Sequence, residues 1–168
     1  MMFRLSILNK SHNRTHFDCG KESLNIYLKH QASQDIKKKL AVCFVLIDKS
    51  DIVIGYYTLS NSSIPQKDIP IEFSRKFPKS YTSISVTLLG RLAIDKSVLG
   101  QGLGEYLLMD ALKESYTVSK NVIGSVAVIV DPIDSDATTF YEKYDFTLLP
   151  GSGKMFLSMN VISKLFEI

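Results

Sequence analysis

An amphipathic helix between two apolar strands, in residues 86–131, constrains the fold of this 168-residue chain more than any other feature. The stretch VTLLGRLAID predicts a strand, and GEYLLMDALKES predicts a helix with one apolar face. The β-branched run in GSVAVIVD is typical of a strand buried on both faces. A strand–helix–strand unit joins parallel strands by a right-handed crossover. We therefore expect a mixed α/β sheet with helices on both faces.

The rest of the chain predicts further elements on both sides of this unit. A loop with one short helix is expected between residues 61 and 85, because this segment carries three of the five prolines. FDCGKESLNIYLKHQASQDIKKKL predicts a turn followed by a helix, with Asp18 as a turn or cap residue. AVCFVLID and DIVIGYYTLS predict an antiparallel hairpin that turns at Lys49–Asp51. DSDATTFYEKY predicts a helix opened by Asp134 or Ser135, and MFLSMNVISKLF predicts a last strand and a tail.

Length and composition predict one cytoplasmic domain spanning residues 1–168. Hydrophobic residues make up 45% of the chain, which is enough for a core. The longest apolar runs, such as AVCFVLI, fall far short of the roughly 20 residues that a membrane helix needs. The first residues lack the apolar core of a signal peptide. Cys19 and Cys43 lie far apart and form no CxxC pair, so we expect two reduced thiols.

The charge is unevenly distributed along the chain. Residues 1–81 contain 13 Lys or Arg against 7 Asp or Glu, whereas residues 82–168 contain 7 against 10. The basic half is suited to a polyanionic partner, although a solvated basic surface explains the same composition.

Three glycines, Gly100, Gly102 and Gly104, lie where the predicted strand passes into the predicted helix. The stretch contains neither a Walker loop, since no lysine follows, nor a dinucleotide fingerprint, since Glu105 occupies the place of the last glycine. Unpaired N–H groups at a helix N-terminus bind anions, and glycines let the anion approach. A phosphate site and a tight packing turn both remain open on this evidence.

The wider sequence resembles the GNAT superfamily of acetyl-coenzyme A-dependent N-acetyltransferases. LLGRLAIDKSVLGQGLGEYLLMDAL resembles motif A of that superfamily, and VIVDPIDSDATTFYEKYDF resembles its next strand and helix. With FDCGKESLNIYL and IGYYTLSNSSI included, the chain resembles the GNAT toxins of bacterial toxin–antitoxin pairs. The resemblance implies a GNAT fold with a central mixed, splayed sheet of six to seven strands. It also implies acetylation of the α-amine of aminoacyl-tRNA and a block of translation.

The resemblance also assigns roles to residues. Tyr141 matches the tyrosine that protonates the coenzyme A thiolate; without the resemblance it reads as a half-buried helix residue. A phenol is protonated at neutral pH and an α-amine titrates near 8, so no strong base is required. The implied acetyl-CoA contacts come from one strand end and the glycine loop: Leu92, Ala93, Ile94, Leu99, Gly100, Gln101, Gly102, Leu103, Gly104 and Glu105.

An RNA-borne substrate requires cations for its phosphates. The candidates are two basic clusters and one strand residue: Lys37, Lys38, Lys39, Arg75, Lys76, Lys79 and Arg91. Each cluster is equally explained as a solvated surface, and Arg91 by a paired carboxylate. His12, His16 and His30 are expected on the surface, because no third ligand accompanies the i,i+4 pair, and we expect no metal site.

Two positions depart from the superfamily pattern. Leu99 stands where a Gln or Arg is common, and Asp145 stands where a Gly is common. Asp tolerates a left-handed backbone, so the turn at position 145 is expected to persist. The toxin resemblance implies a ribbon–helix–helix antitoxin and a homodimer. A GNAT enzyme acting on a small amine or a protein N-terminus, and a degenerate coenzyme A-binding module, remain alternatives.

Overall fold

The computed structural model describes residues 2–167, which form two compact units. The first unit comprises the chain up to Ser60 together with Leu89–Ala111, and the second comprises Asn61–Leu88 together with the chain from Leu112. The strands are β1 Arg4–Ile7, β2 Val42–Ile47, β3 Val53–Pro65, β4 Ser83–Ile94, β5 Ala127–Val130, β6 Thr147–Leu148 and β7 Met155–Ser158. The helices are α1 Glu22–Ile26, α2 Ala32–Lys37, α3 Ile71–Ser74, α4 Leu103–Asn121, α5 Ser135–Lys143 and α6 Met159–Leu165.

The sheet has seven strands in the order β1-β2-β3-β4-β5-β7-β6 and is flanked by helices. Strands β1, β2 and β3 pair antiparallel, β4 pairs parallel with β5, and β7 pairs antiparallel with both β5 and β6. The mixed sheet, the antiparallel hairpin and the parallel pair around α4 are as predicted. None of the helices in residues 2–167 is both long enough and apolar enough to cross a membrane.

The core of the first unit lies between its strands and the helical segment that follows residue 20. Phe17, Leu28 and Tyr56 are fully or almost fully buried there, and the Phe17 and Tyr56 rings meet edge to face at 5.6 Å. Between α1 and α2, the segment Tyr27–Gln31 is a π-helix, in which the N–H of Ala32 donates to the carbonyl of Tyr27 five residues earlier. The sequence predicted one continuous α-helix through this region.

The core of the second unit is built on β5, which is buried along its whole length as its apolar run predicted. Ala127 and Ile129 pack with Ile84 and Val86 of β4 in one cluster. The ring of Phe73 in α3 packs against the ring of Phe156 in β7, with their centroids 5.4 Å apart. This packing ties the proline-bearing segment to the sheet.

The structure corrects four local predictions. Strands β1 and β6 were not predicted, because they are short and carry no fully buried residue in their burial patterns. Strand β3 continues to Pro65, although this segment was predicted to be a loop, because a proline at the end of a strand interrupts no central ladder. The predicted tail contains α6, whose first turn is capped by the Ser158 hydroxyl accepting from the N–H of Val161 at 3.2 Å.

Candidate active site

The glycine loop joins the end of β4 to the start of α4. Gly100 and Gly102 have φ angles of +79° and +73°, a left-handed conformation that favours glycine. No atom outside their neighbours lies within 4 Å of where a Cβ would be at either position, so packing does not explain these glycines. Helix α4 begins at Leu103, and the first N–H groups of a helix have no partner within it. The loop therefore offers open space beside free donors, which suits an anion.

Leu99 is the departure from the superfamily pattern in this loop. Its side chain is 64% exposed, so it contributes little to the core. The preceding turn, Lys96–Val98, is capped by Asp95, whose carboxylate accepts from the N–H of Ser97 at 2.9 Å. The cap at Asp95 thus stabilises the backbone at the start of the loop, and the Leu99 side chain is not needed for this.

The strand end that leads into the loop lies directly against Gly55 of β3. A Cβ at Gly55 would be 2.8 Å from Cδ1 of Ile94, 3.0 Å from Cδ1 of Leu107 and 3.2 Å from the carbonyl oxygen of Ala93. Gly55 is therefore required for the close approach of β3 to the segment Leu92–Ile94, which the resemblance assigns to acetyl-CoA.

Hydrogen bonds between Asp18 and the pair Asp95 and Lys96 connect the same strand end to the N-terminal turn. The N–H of Asp18 donates to the Asp95 carboxylate at 2.8 Å, and the N–H of Lys96 donates to the Asp18 carbonyl at 2.9 Å. The Asp18 carboxylate accepts from the N–H of Gly20 and from the buried amide of Asn25, at 2.9 and 3.0 Å. Asp18 is thus a turn residue, as predicted, while the N-cap of α1 is Lys21.

Hydrogen bonds and the nearby charge of Lys96 keep the Asp18 carboxylate ionised. The N–H of Gly20, followed by the amide of Asn25 and the ammonium of Lys96, lowers the pKa of Asp18 to about 2. Lys96 Nζ lies 3.1 Å from the Asp18 carboxylate. The FDCG stretch, which the sequence singled out without explaining it, therefore supports the entry to the glycine loop.

Tyr141 lies on α5, which is capped by the Asp134 carboxylate accepting from the N–H of Ala137 at 2.9 Å. The side chain of Tyr141 is only 7% exposed and its ring packs against Phe140 and Phe146, at 5.3 and 5.2 Å. Burial raises the pKa of the phenol, which therefore stays protonated at every physiological pH. Tyr141 is therefore more buried than the half-buried helix position that the sequence alone indicated.

The Tyr141 hydroxyl is available as a donor. Among residues 2–167 it has no hydrogen-bond partner, and no fully enclosed side-chain oxygen or nitrogen lacks one. It follows that this hydroxyl keeps an opening to solvent. After the helix, Asp145 has a φ of +70°, so it adopts the predicted left-handed turn. The N–H of Phe146 then donates to the carbonyl of Tyr141 at 3.2 Å, which fixes the Phe146 ring beside the phenol.

Arg91 stacks on an aromatic ring. Its guanidinium carbon lies 3.5 Å from the centre of the Tyr27 ring, within stacking distance. No ion pair joins this half-buried arginine to an Asp or Glu among residues 2–167. Tyr27 was missed by sequence reasoning as a site residue; its aromatic place in LNIYL was the available signal.

The other predicted RNA-binding cations are all exposed. Lys37, Lys38 and Lys39 lie at and after the end of α2, and Lys39 has a left-handed φ of +63°. Arg75, Lys76 and Lys79 follow α3, where the Lys76 ammonium lies 5.9 Å from the Phe73 ring. Exposure is compatible with both a phosphate contact and a solvated surface.

One of the three histidines contradicts its prediction. His16 and His30 are exposed, but His12 is only 6% exposed. Its Nδ1 accepts from the N–H of Asn9 at 3.1 Å across a tight turn, which draws the ring inward, and burial lowers its pKa. Within residues 2–167, no group of three or more His, Cys, Asp or Glu side chains is placed to hold a metal ion. Cys19 and Cys43 are both free thiols, as predicted.

Comparison with known proteins identifies the family. No family model matches the sequence. A tRNA-acetylating toxin of Mycobacterium tuberculosis is 33% identical over 136 residues, which are 81% of this chain and 79% of the toxin. A protein of Sinorhizobium fredii named "Probable toxin TacT" is 30% identical over 163 residues, which are 92% of this chain and 89% of that protein.

Solved structures agree with these relatives over nearly the whole chain. A tyrosine-to-phenylalanine variant of KacT superposes with a TM-score of 0.91 at 31% identity, covering 99% of this chain and 100% of that one. AtaT in complex with acetyl-methionyl-tRNAfMet gives 0.90 at 29% identity, with the same coverage. A tyrosine-to-phenylalanine variant of AtaT, bound to acetyl-CoA and the C-terminus of its antitoxin AtaR, gives 0.82 at 29% identity, covering 99% of each chain. The chain therefore belongs to the GNAT family of tRNA-acetylating toxins.

Proposed function

We propose that this chain is an acetyl-CoA-dependent N-acetyltransferase that modifies the α-amino group of aminoacyl-tRNA and so blocks translation. The observation that carries the proposal is the match along 99% of the chain to AtaT holding acetyl-methionyl-tRNA. Because the whole length of that chain is covered, we propose that residues 1–168 act as a single acetyltransferase domain. We propose that it acts in the cytoplasm, where charged tRNA is used in translation.

The glycine loop is proposed to hold the pyrophosphate of acetyl-CoA. The backbone N–H groups from Gln101 to Glu105 supply the donors, and the left-handed Gly100 and Gly102 keep the space beside them open. Leu92, Ala93 and Ile94 are proposed to supply backbone contacts to the pantetheine arm. Leu99 and Leu103 add only backbone groups to this set. Acetyl-CoA supplies the acetyl group as a thioester, from which coenzyme A departs as a thiolate.

Tyr141 is proposed to be the general acid. Its phenol holds a proton at neutral pH, and its hydroxyl has no partner among residues 2–167 that would compete for that proton. Donation of the proton to sulfur neutralises the thiolate as the C–S bond breaks. Burial raises the pKa of a thiol as well as that of a phenol, so the pKa values of the coenzyme A thiol and of Tyr141 rise together in a buried site. The attacking α-amine titrates near 8, so a minor but usable fraction is neutral near pH 7. After the C–N bond forms, the nitrogen releases a proton to solvent, and the phenolate of Tyr141 takes up a proton from solvent.

The partners are proposed on the same basis. AtaT binds the C-terminus of its antitoxin AtaR, and AtaT–AtaR and KacTA are both known bound to DNA. We propose a ribbon–helix–helix antitoxin and a homodimer for this chain.

The test is incubation of the purified protein with labelled acetyl-CoA and total charged tRNA, followed by mass spectrometry of the released amino acids. We expect N-acetyl amino acids from wild type and a rate about 10²–10⁴-fold lower from Tyr141→Phe, the range for loss of a general acid. The Tyr141 hydroxyl has no partner among residues 2–167, so the variant should melt like wild type and bind acetyl-CoA equally well. Acetylation of small amines or protein N-termini without any modified tRNA would overturn the proposal.

A further inference from the structure

Arg91 carries a half-buried charge that no carboxylate among residues 2–167 neutralises. Removing a cation from water is unfavourable unless an opposite charge or hydrogen-bond acceptors replace the solvent. The described part of the chain gives Arg91 an aromatic face and no carboxylate partner. Stacking uses the face of the guanidinium, so the N–H groups at its edge remain directed away from the ring. This arrangement suits an anion that arrives from outside.

The ring under Arg91 is itself fixed on two sides. Tyr27 is 3% exposed, and its hydroxyl donates to the Asp35 carboxylate at 2.8 Å. The Tyr56 ring lies nearly parallel to it, at 6.2 Å and 15°. Burial, together with the bond to Asp35, raises the pKa of Tyr27, so the phenol remains a donor. The ring therefore has little freedom to rotate away from the guanidinium.

The π-helical turn explains how Asp35 reaches Tyr27. An α-helix advances about 100° per residue, so residues eight apart lie about 80° apart around the axis. The π turn at Tyr27–Gln31 takes up about one extra residue, which reduces that difference to about 20°. The irregular turn thus places the phenol and the carboxylate on one side of the helical segment.

We propose that Tyr27 and Asp35 are positioning residues that present Arg91 to a phosphate of the aminoacyl-tRNA acceptor end. This inference rests on the proposed function. A guanidinium edge matches two phosphate oxygens at once, and a fixed guanidinium loses less conformational freedom on binding. The pyrophosphate of acetyl-CoA has its own donors in the glycine loop, so we assign Arg91 to the RNA phosphate.

The test compares two acceptors that carry the same amine. KM and kcat are measured for charged tRNA and for the corresponding amino acid methyl ester, which has no phosphate, over a series of KCl concentrations. The variants are Arg91→Lys, Arg91→Met, Tyr27→Phe and Tyr27→Leu. Arg4→Gln is the matched control, because Arg4 is an exposed arginine that already pairs with Asp51.

We expect Arg91→Met and Tyr27→Leu to raise KM for charged tRNA about tenfold, with kcat and the KM for the ester changed less than twofold. Arg91→Met should also reduce the slope of log KM against log salt by about 0.7–1, the loss of one phosphate contact. The double variant Tyr27→Leu/Arg91→Met should be no worse than Arg91→Met, because Tyr27 acts through Arg91. Arg91→Lys keeps the charge without the planar stack and should retain the slope but raise KM.

Three results would overturn the inference. The first is a wild-type KM and salt slope in Tyr27→Leu. The second is a rise in KM for acetyl-CoA in Arg91→Met with no change for charged tRNA, which would assign Arg91 to the cosubstrate. The third is a wild-type enzyme that acetylates the ester but not charged tRNA, which would overturn the proposed function as well. If Tyr27→Leu does not fold, Tyr27→Phe replaces it: loss of the Asp35 bond should raise KM two- to threefold, and an unchanged KM refutes the role of Asp35.

Discussion

Gly55→Ala adds one methyl group at the closest approach between β3 and the strand end before the glycine loop. The new Cβ would meet two side-chain methyl carbons, of Ile94 and Leu107, at 2.8 and 3.0 Å and the Ala93 carbonyl oxygen at 3.2 Å. Carbon atoms pack at about 3.5–4.0 Å, so each methyl must retreat by roughly 0.5–1 Å. No positive φ is involved at this position, so the substitution tests packing alone.

The surroundings decide how much this clash destabilises the protein. Leu107 of α4 is fully buried and Ala93 contributes a backbone atom of β4, so only the Ile94 side chain can move without displacing one of these two elements. Overpacking in a well-filled core typically destabilises by about 1–3 kcal/mol. For a chain of this length, each kcal/mol lowers Tm by roughly 2–4 °C. Displacement of Ala93 should also raise the Kd for acetyl-CoA.

The assay is urea unfolding followed by circular dichroism, with acetyl-CoA titration by calorimetry. Gly124→Ala is the matched control, because a Cβ at Gly124 meets no atom within 4 Å, so its free energy of unfolding should stay within about 0.5 kcal/mol of wild type. If Gly55→Ala is as stable as Gly124→Ala and binds acetyl-CoA equally well, the close approach at Gly55 has no role in stability or cofactor binding.

Three further substitutions or treatments test other features. Leu99→Gln should lower the KM for acetyl-CoA about two- to tenfold at unchanged Tm, because the exposed leucine is not packed; an unchanged KM contradicts this. The pKa of Asp18 falls from 3.8 to about 2 on folding, so its contribution to stability is complete above pH 4 and lost as pH falls through 2; Asp18→Asn should flatten that decline in urea unfolding. Burial raises the pKa of Cys43 to about 12, so iodoacetamide at pH 8 should modify the native protein at Cys19 first, as read by peptide mass spectrometry; early labelling of Cys43 would show that its site opens.

Local sequence signals predicted the elements that they dominate. The apolar run of β5 and the Asp134 cap of α5 are both signals contained within about ten residues, and both elements are found as predicted. The short strand β1 gives no such signal, since it is held by pairing Arg4 with Ile47 across 43 residues of chain. The prediction for β3 was wrong because it treated Pro65 as a strand breaker. A proline at the end of a strand is tolerated where its position needs no N–H donor, and the sequence does not show which positions those are.

The candidate site was predictable where it depends on backbone conformation. Gly100, Gly102 and Asp145 all adopt the left-handed geometry that their residue types allow. The contacts of Asp18 and Arg91 were not predictable, because their partners lie 77 and 64 residues away and are brought near only by the fold. A single sequence shows which residues can stack or pair, while only the packed chain shows which of them do.

The π turn at Tyr27–Gln31 has a consequence for insertions and deletions. A deletion of one residue within it would let a regular α-helix form. The tyrosine and the aspartate would then be seven residues apart and would still lie about 20° apart around the axis. An insertion of one further residue would instead turn the two by about 100° relative to each other. Among toxins of this family, a spacing of eight residues with a π turn and a spacing of seven residues without one should therefore preserve the same contact.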